Sequence, residues 1–203
     1  ETIARVAPDP ATGLVMPPTS PYFPRTLPGI NPNANITVGW RMVPAGQREN
    51  TSNTIGQRAV ADISGAVAGW DYRGGLFWTE SSGDDGPTNG YVNIAAIRAG
   101  VASGLLNPFG AQTAAGEAAI QAAKVIGTGQ VAKGGTKGVD LRASRELFSM
   151  AGGALAVSVG AEYRKETYRN DTIDAIVNAV PSLGRAPYHV SGDRNVSALS
   201  AEM

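Results

Sequence analysis

The stretch 154-ALAVSVGAEYRKE-166 is the most regular part of this chain, and it decides how the rest is interpreted. Apolar and polar residues alternate along it. One set is mostly apolar and comprises Leu155, Val157, Val159, Ala161 and Tyr163. The other set comprises Ser158, Gly160, Glu162 and Arg164. Alternation with a period of two predicts a β-strand that has one apolar and one polar face.

The same alternation recurs on both sides of this stretch, in 36–43, 55–67, 70–80 and 138–148, and a last strand starts at 193. The polar faces repeat an acid followed two residues later by a base: Asp71 and Arg73, Asp140 and Arg142, Glu162 and Arg164. Two polar residues, Gln57 and Arg145, fall on the apolar faces. About six antiparallel strands are therefore predicted, with Arg145 expected either near a membrane rim or at a β-bulge.

The links between these strands differ in length. Those near 67–70 and 150–154 are short, whereas two others are long, and the first of these carries Ala-rich segments that predict short helices. The resulting division is 1–35 loop, 36–83 strands, 84–137 long external loop, 138–168 hairpin, 169–192 external loop and 193–203 strand start. Eight prolines within 1–35 argue there against regular helix or central strand.

Three features of this pattern favour a membrane barrel over a soluble β-sandwich, which also alternates. Charges repeat on one face, and the lumen of a wide barrel would solvate them. Aromatic residues mark strand ends on the other face: Trp40, Trp70, Tyr72, Trp78 and Tyr163. Short turns alternate with long loops. The fold class expected is all-β, an antiparallel up-and-down transmembrane β-barrel segment with long external loops.

Composition excludes several kinds of site and partner. The chain has 17 basic and 17 acidic residues, no Cys and one histidine, His189. A neutral balance argues against nucleic acid as a partner. The absence of Cys excludes disulfides, thiolate metal sites and Cys nucleophiles, and one histidine leaves little for a hydrolase. The chain contains no apolar run long enough for a transmembrane helix and no visible signal peptide, and it reads as a piece of a longer protein.

The order of several segments resembles the barrel region of TonB-dependent outer-membrane receptors. These segments are SPYFP, WRMVPAGQR, GWDYRGGLFW, NPFG and KGGTKGVDLRASRELFSMAGGALAVSVGAEYRKE, followed by RNVSALSAEM. The resemblance covers nearly all of 17–203. It implies a bacterial outer-membrane barrel of about 22 strands with a plugged lumen. It also implies uptake of a scarce nutrient such as a ferric siderophore, saccharide or peptide, energised by the TonB complex through sequence not present here; the plug domain is absent from this chain.

Candidate site residues are few. Tyr22, Phe23 and Tyr188 are expected in external loops, where they could stack on a ligand or pack within the loop. Lumenal salt bridges between neighbouring strands are the simplest role for the six charges Asp71, Arg73, Asp140, Arg142, Glu162 and Arg164. No catalytic, cofactor or metal residue is expected.

Three other candidate sites are weaker still. The glycine-rich run from Gly127 to Gly138 does not match a phosphate-binding loop, because Gly134 is not followed by Lys. The acids Glu80, Asp84 and Asp85 lack the spacing of a calcium loop. His189 is expected to be a loop residue.

Two other functions remain open from the sequence. The chain could be a soluble β-rich surface binding module, such as a lectin or adhesin, in which case the aromatic faces would pack together. It could also be a hydrolase, although no nucleophile elbow is present.

Overall fold

The computed structural model describes residues 1–203, and antiparallel β-structure dominates it. The strands are β1 (Thr2–Val6), β2 (Pro10–Met16), β3 (Ile36–Arg41), β4 (Arg48–Val67), β5 (Trp70–Asn89), β6 (Gln130–Met150), β7 (Gly153–Thr172) and β8 (His189–Glu202). The α-helices are α1 (Ile94–Ala102), α2 (Ala114–Ala122) and α3 (Asp174–Ala179), and there are 3₁₀ turns at Val43–Ala45 and Pro181–Leu183. The all-β, antiparallel class predicted from the alternation is confirmed.

The strands form two sheets. The larger has the order β1-β4-β5-β6-β7-β8, so from β4 to β8 each strand is hydrogen-bonded to the next one along the chain. The β7–β8 ladder runs from Ser158 opposite Glu202 to Asp171 opposite His189. The smaller sheet pairs β2 with β3. This up-and-down connectivity is what short turns between long alternating segments predict.

The turn between β4 and β5 explains how two strands of 20 residues each can be joined so tightly. Ala68 has φ 50° and Gly69 has φ 78°, so both central residues lie in the left-handed region. This is the signature of a type I′ turn, whose twist matches that of a hairpin. Ala68 is the one non-glycine residue with positive φ in the chain.

The chain divides into two compact units. Unit 1 comprises Glu1–Asn53, Asp84–Val131 and Thr172–Tyr188, and unit 2 comprises Thr54–Gly83, Ala132–Asp171 and His189–Met203. The long strands β4 to β7 contribute residues to both units.

Unit 1 is built around a hydrophobic core. Its fully buried members include Leu14 and Met16 of β2, Ile97 and Val101 of α1, and Ile120 of α2. A β-bulge between Ala11 and Leu14 turns both side chains inward. Asn93 caps α1 by accepting hydrogen bonds from the backbone N–H groups of Ala95 and Ala96. This short helix forms because its N-terminus is capped and because Ile97 and Val101, one helical turn apart, are both buried in the core.

Assigning 1–35 entirely to loop was wrong, because β1 and β2 lie within it. Pro10 was read as a strand breaker, but it is the first residue of β2, where a missing N–H is tolerated. The alternating burial of β2 then provides the core contacts that hold it in a sheet. Residues 17–35 do form successive turns without strand or helix.

The loop boundaries 84–137 and 169–192 were also wrong, because the strands run further than the apolar pattern does. β5 continues to Asn89 and β6 begins at Gln130, while β7 ends at Thr172 and β8 begins at His189. The hairpin assigned to 138–168 therefore has longer arms. The turn-like residues of 84–89 lie in a strand because the ladder continues through them.

The glycine-rich run ahead of residue 138 was read as flexible loop, and most of it belongs to β6. A Cβ atom built on Gly138 would lie 2.6 Å from Cζ of Phe77 and 2.7 Å from the carbonyl oxygen of Tyr163. Glycine is required there by the close approach of neighbouring strands. Composition alone does not distinguish this kind of glycine from a loop glycine.

Candidate functional site

The sheet of unit 2 has one face on which large apolar side chains are exposed. A Cβ atom on Gly74 of β5 would lie 3.4 Å from the Leu141 side chain and 3.8 Å from that of Ile63, so β4, β5 and β6 share this face. Ile63 is 65% exposed, and Leu141 53%. The same face carries Ile55, Val67, Leu76, Trp78, Val139 and Leu147, and these are exposed as well.

No layer of protein covers this sheet within unit 2. The buried residues of the unit are Gly74, Gly75 and Asp171, and none of them supplies a large apolar side chain. Leu155 and Val157 of β7 are half-buried and Val159 is exposed. A sheet that is stable in water normally packs one face against another layer. The unit therefore lacks a hydrophobic core of its own.

Charged residues mark the limits of the apolar face. At the turn end, the Arg145 side chain lies beside the β4–β5 turn, 3.5 Å from the position that a Cβ on Gly69 would take. Arg145 is therefore level with the end of β4 and the start of β5, whereas its own strand β6 continues to Met150. Towards the other end, Lys133 forms an ion pair with Glu80 at 2.9 Å. Lys165 likewise pairs with Asp193 at 3.2 Å.

The opposite face of unit 2 carries charges around a glycine. A Cβ on Gly75 would lie 2.8 Å from Oδ1 of Asp62 and 2.9 Å from Oδ1 of Asp140, so carboxylates from the two flanking strands converge over β5. Arg73 approaches Asp62 at 3.9 Å. Together with Arg58 and Arg142, these groups line a recess of 330 Å³.

A second group of charges follows β7 and β8. Arg164 forms ion pairs with Glu162 at 2.7 Å and with Glu166 at 2.8 Å, both on its own strand. Glu166 also accepts a hydrogen bond from Arg194 of β8 at 2.5 Å. The charges predicted to share a face thus separate into two groups, while Asp71 is exposed and has no ion pair. On this polar face, ion pairs between neighbouring strands join Glu166 to Arg194 and Asp62 to Arg73.

A recess of 840 Å³ in unit 2 extends over the five strands from β4 to β8. Gly56, Gly134 and Gly192 line it, and a Cβ at Gly56 or Gly192 would meet nothing within 4 Å. Its larger side chains include Tyr168 and Arg58. Tyr168 was not among the predicted site residues, although it continues the alternation from Arg164 through Glu166.

The three aromatic residues considered as ligand contacts differ in their burial and in their neighbours. Phe23 is 4% exposed in the core of unit 1, so stacking on a ligand is wrong for this residue, and loop packing explains it. Tyr22 is half-buried against the same core. Tyr188 is half-buried, and its backbone exchanges hydrogen bonds with Thr172 at the end of β7.

The acidic cluster near residue 84 is occupied by contacts within the protein. In unit 1, Asp84 accepts a hydrogen bond from Asn53, and Asp85 accepts bonds from Asn50 and from both terminal nitrogens of Arg185. In unit 2, Glu80 pairs with Lys133. No group of three His, Asp or Glu residues is arranged to hold a metal ion.

The ion pair between Asp85 and Arg185 attaches the segment before β8 to the end of β5. Burial alone would raise the pKa of Asp85, but hydrogen bonds from Arg185 and Asn50 and the charge of Arg185 outweigh it and lower that pKa. The carboxylate in turn raises the pKa of Arg185. The charged form of Asp85 is therefore favoured in the folded state.

This shift predicts how the stability of unit 1 depends on pH. Because the folded pKa of Asp85 lies below its unfolded value, its contribution is complete above about pH 4 and is lost as pH falls through the folded pKa. We expect Arg185→Gln to lower the free energy of unfolding by roughly 1–3 kcal/mol at neutral pH. Denaturant titrations at several pH values would measure this.

The control for that prediction is Arg25→Gln, which removes a cation of unit 1 that forms no ion pair with a carboxylate. Its stability should show the same acid dependence as the parent protein. If Arg185→Gln also retained the full loss of stability below about pH 4, the link between this ion pair and the pH dependence would be refuted.

His189 is the first residue of β8 and not a loop residue. Its Nδ1 lies 3.2 Å from Oδ1 of Asp171, which also pairs with Arg169. The ring is 58% exposed. His189 thus pairs with a carboxylate beside an arginine at the end of a strand. This contact accounts for the histidine without a catalytic role.

Comparisons with known proteins gave no relative for this chain: no protein-family model, curated protein or solved structure matched it. None of the α-helices is long and apolar enough to cross a membrane.

Proposed function

We propose that this chain is part of the barrel wall of a bacterial outer-membrane receptor of the TonB-dependent kind. The observation that carries the proposal is the sheet of unit 2, which exposes an apolar face and has no core to cover it. A lipid bilayer would cover this apolar face, while the opposite face of the sheet would remain in contact with water.

The dimensions of the apolar face support this proposal. Trp70 and Trp78 lie on the same face of β5 because their numbers differ by an even interval. At about 3.3 Å per residue they are about 26 Å apart along the strand, which is roughly 18–21 Å along the membrane normal for a strand tilted by about 35–45°. The apolar band of outer-membrane barrels is about 25 Å tall, with aromatic residues at both borders. The ion pairs of Lys133 and Lys165 would then lie at one aqueous border and Arg145 at the other.

The polar face supports the same proposal. Asp62, Asp140, Arg73 and Glu166 share the face opposite the apolar side chains, where a barrel has its lumen. In a receptor of this kind the wall binds a scarce nutrient such as a ferric siderophore, saccharide or peptide. The plug and the contact with the TonB complex would belong to other parts of the receptor. No enzymatic role is proposed.

The depth of the three tryptophans tests the membrane part of this proposal. We expect proteins that retain only Trp70 or only Trp78, with the other two changed to Phe, to be quenched by lipids labelled near the headgroup. A protein that retains only Trp40 should be quenched far less, because that ring packs on the core of unit 1. Fluorescence of the full chain in labelled vesicles measures all three.

The alternative of a soluble β-rich binding module has a distinct outcome. Such a protein would remain monomeric without detergent, and neither Trp70 nor Trp78 would be quenched by any labelled lipid. That combination would refute the membrane assignment.

A further inference from the structure

Unit 1 contains a cavity of 250 Å³ that the proposed function does not use. Its wall is formed by β2, by the start of α1 and by the 3₁₀ turn at Pro181–Leu183. The residues that matter for its chemistry are Asp9, Thr12, Ile94, Arg98 and Ser182. All of them belong to unit 1, so the inference is independent of whether unit 2 enters a membrane.

Asp9 is the most unusual of these residues. It is 3% exposed, and its carboxylate accepts one hydrogen bond, from the backbone N–H of Val92 at 3.2 Å. A carboxylate has about four acceptor positions, so most of its capacity is unused. Asp9 forms no ion pair. Burying a carboxylate without a charged partner is costly, and this cost points to a partner from outside the chain.

Neighbouring groups do not supply that partner. Arg48 donates to the carbonyl oxygens of Ala7 at 2.8 Å and Ser182 at 3.4 Å. The first free N–H groups of α1 are bonded to the side chain of Asn93. The hydroxyl of Tyr91 is electrostatically coupled to Asp9, but no hydrogen bond joins the two side chains.

Two further groups in the wall have unused bonding capacity. The Ser182 hydroxyl oxygen is buried and has no hydrogen-bond partner. Arg98 is exposed and forms no ion pair, and its Nη2 lies 3.7 Å from the position that a Cβ on Gly13 would take. Asp9 and the unpartnered Ser182 thus lie together in the wall of the cavity, and Arg98 of the same wall reaches solvent.

We propose that this cavity binds a small zwitterion of the α-amino acid class. The ammonium group donates to Asp9 and Ser182, and the carboxylate pairs with Arg98. Ala11 and Ile94, also in the wall, provide apolar surface for a short side chain. Most pockets for drug-sized ligands measure about 300–1,000 Å³, so a cavity of 250 Å³ limits the ligand to a small one.

Three small probes test the ammonium contact and the carboxylate contact of the ligand separately. L-alanine carries both charges, ethylamine only the ammonium and propionate only the carboxylate. In calorimetric titration of the full folded chain, L-alanine should bind with saturation, and each single-ended probe should bind roughly tenfold or more weakly, as expected for loss of a charged hydrogen bond. Absence of saturable binding by L-alanine up to about 10 mM, or equal binding of all three, would overturn the proposal.

Substitutions of residues in the cavity wall test whether L-alanine binds in this cavity. Asp9→Asn keeps an acceptor for Val92 but removes the charge, and it should weaken L-alanine binding roughly tenfold or more. Arg98→Gln should weaken L-alanine while leaving ethylamine unchanged. The control Glu117→Gln removes an exposed carboxylate of α2 and should bind like the parent protein. If Asp9→Asn does not fold, Ser182→Ala, expected to weaken ethylamine and L-alanine alike, replaces it. Wall variants that bind as the parent does would overturn the assignment.

Discussion

Replacing Val159 by arginine is expected to destabilise the folded chain in a bilayer by about 2–4 kcal/mol. Val159 is the middle residue of the apolar series of β7, which runs from Leu155 to Tyr163, and the proposed function has this face in lipid. An arginine there would place a guanidinium near the middle of the apolar band. The measurement is a urea titration of the protein folded in lipid vesicles, followed by circular dichroism and tryptophan fluorescence.

The matched control is Ser158→Arg, at the preceding position of the same strand. Position 158 faces the other side of the sheet, opposite Glu202 of β8, where a positive charge is favourable. This variant should be within about 0.5 kcal/mol of the parent protein. Equal effects of the two substitutions would mean that both faces meet the same surroundings, and the lipid assignment would then be wrong.

The alternation of apolar and polar residues predicted the strands of unit 2 well. From Leu155 to Arg164 the two faces follow directly from a period of two, because successive side chains of a strand point to opposite sides. Pairing between consecutive strands followed from the short links at 67–70 and 150–154. These features are local, so one sequence contains all the information that they require.

The ends of the long strands could not be predicted in the same way. Residues 84–89 and 130–137 have turn-like composition, and they are strands because neighbouring strands hydrogen-bond to them. Gly138 is a further example, since the ring of Phe77 occupies the space where a side chain would lie. Tertiary contacts outweigh propensity at such positions.

The candidate site residues of unit 1 were the hardest to foresee. For Phe23 the sequence left open both stacking on a ligand and packing within the loop, and the loop folds back and buries this residue. Asp9 and Ser182 are far apart in the sequence and have no motif. Only their shared cavity indicates that they act together. Charge spacing predicted a shared face for the charges of β5 to β7, but not which acid each base would contact.

Replacing Gly90 by alanine is expected to destabilise unit 1 by about 2–5 kcal/mol, the combined effect of backbone strain and overpacking. Gly90 follows β5 with φ 70°, in the left-handed region. A Cβ there would collide with the backbone of Gln47 and would lie 2.8 Å from the backbone nitrogen of Arg48. Because the obstructing atoms are backbone, no rotamer change can relieve the contact.

Substitutions at two other glycines of unit 1 separate the effect of backbone strain from that of overpacking. Gly39→Ala should change stability by less than about 0.5 kcal/mol, because its φ is ordinary and a Cβ would meet nothing within 4 Å. Gly29→Ala, at φ 83° in open space, should cost about 1–2 kcal/mol from the backbone conformation alone. Denaturant unfolding followed by Trp40 fluorescence, with Trp70 and Trp78 changed to Phe, would rank the three. If Gly90→Ala cost no more than Gly29→Ala, the close approach of β5 to Gln47 would not be a constraint on the fold.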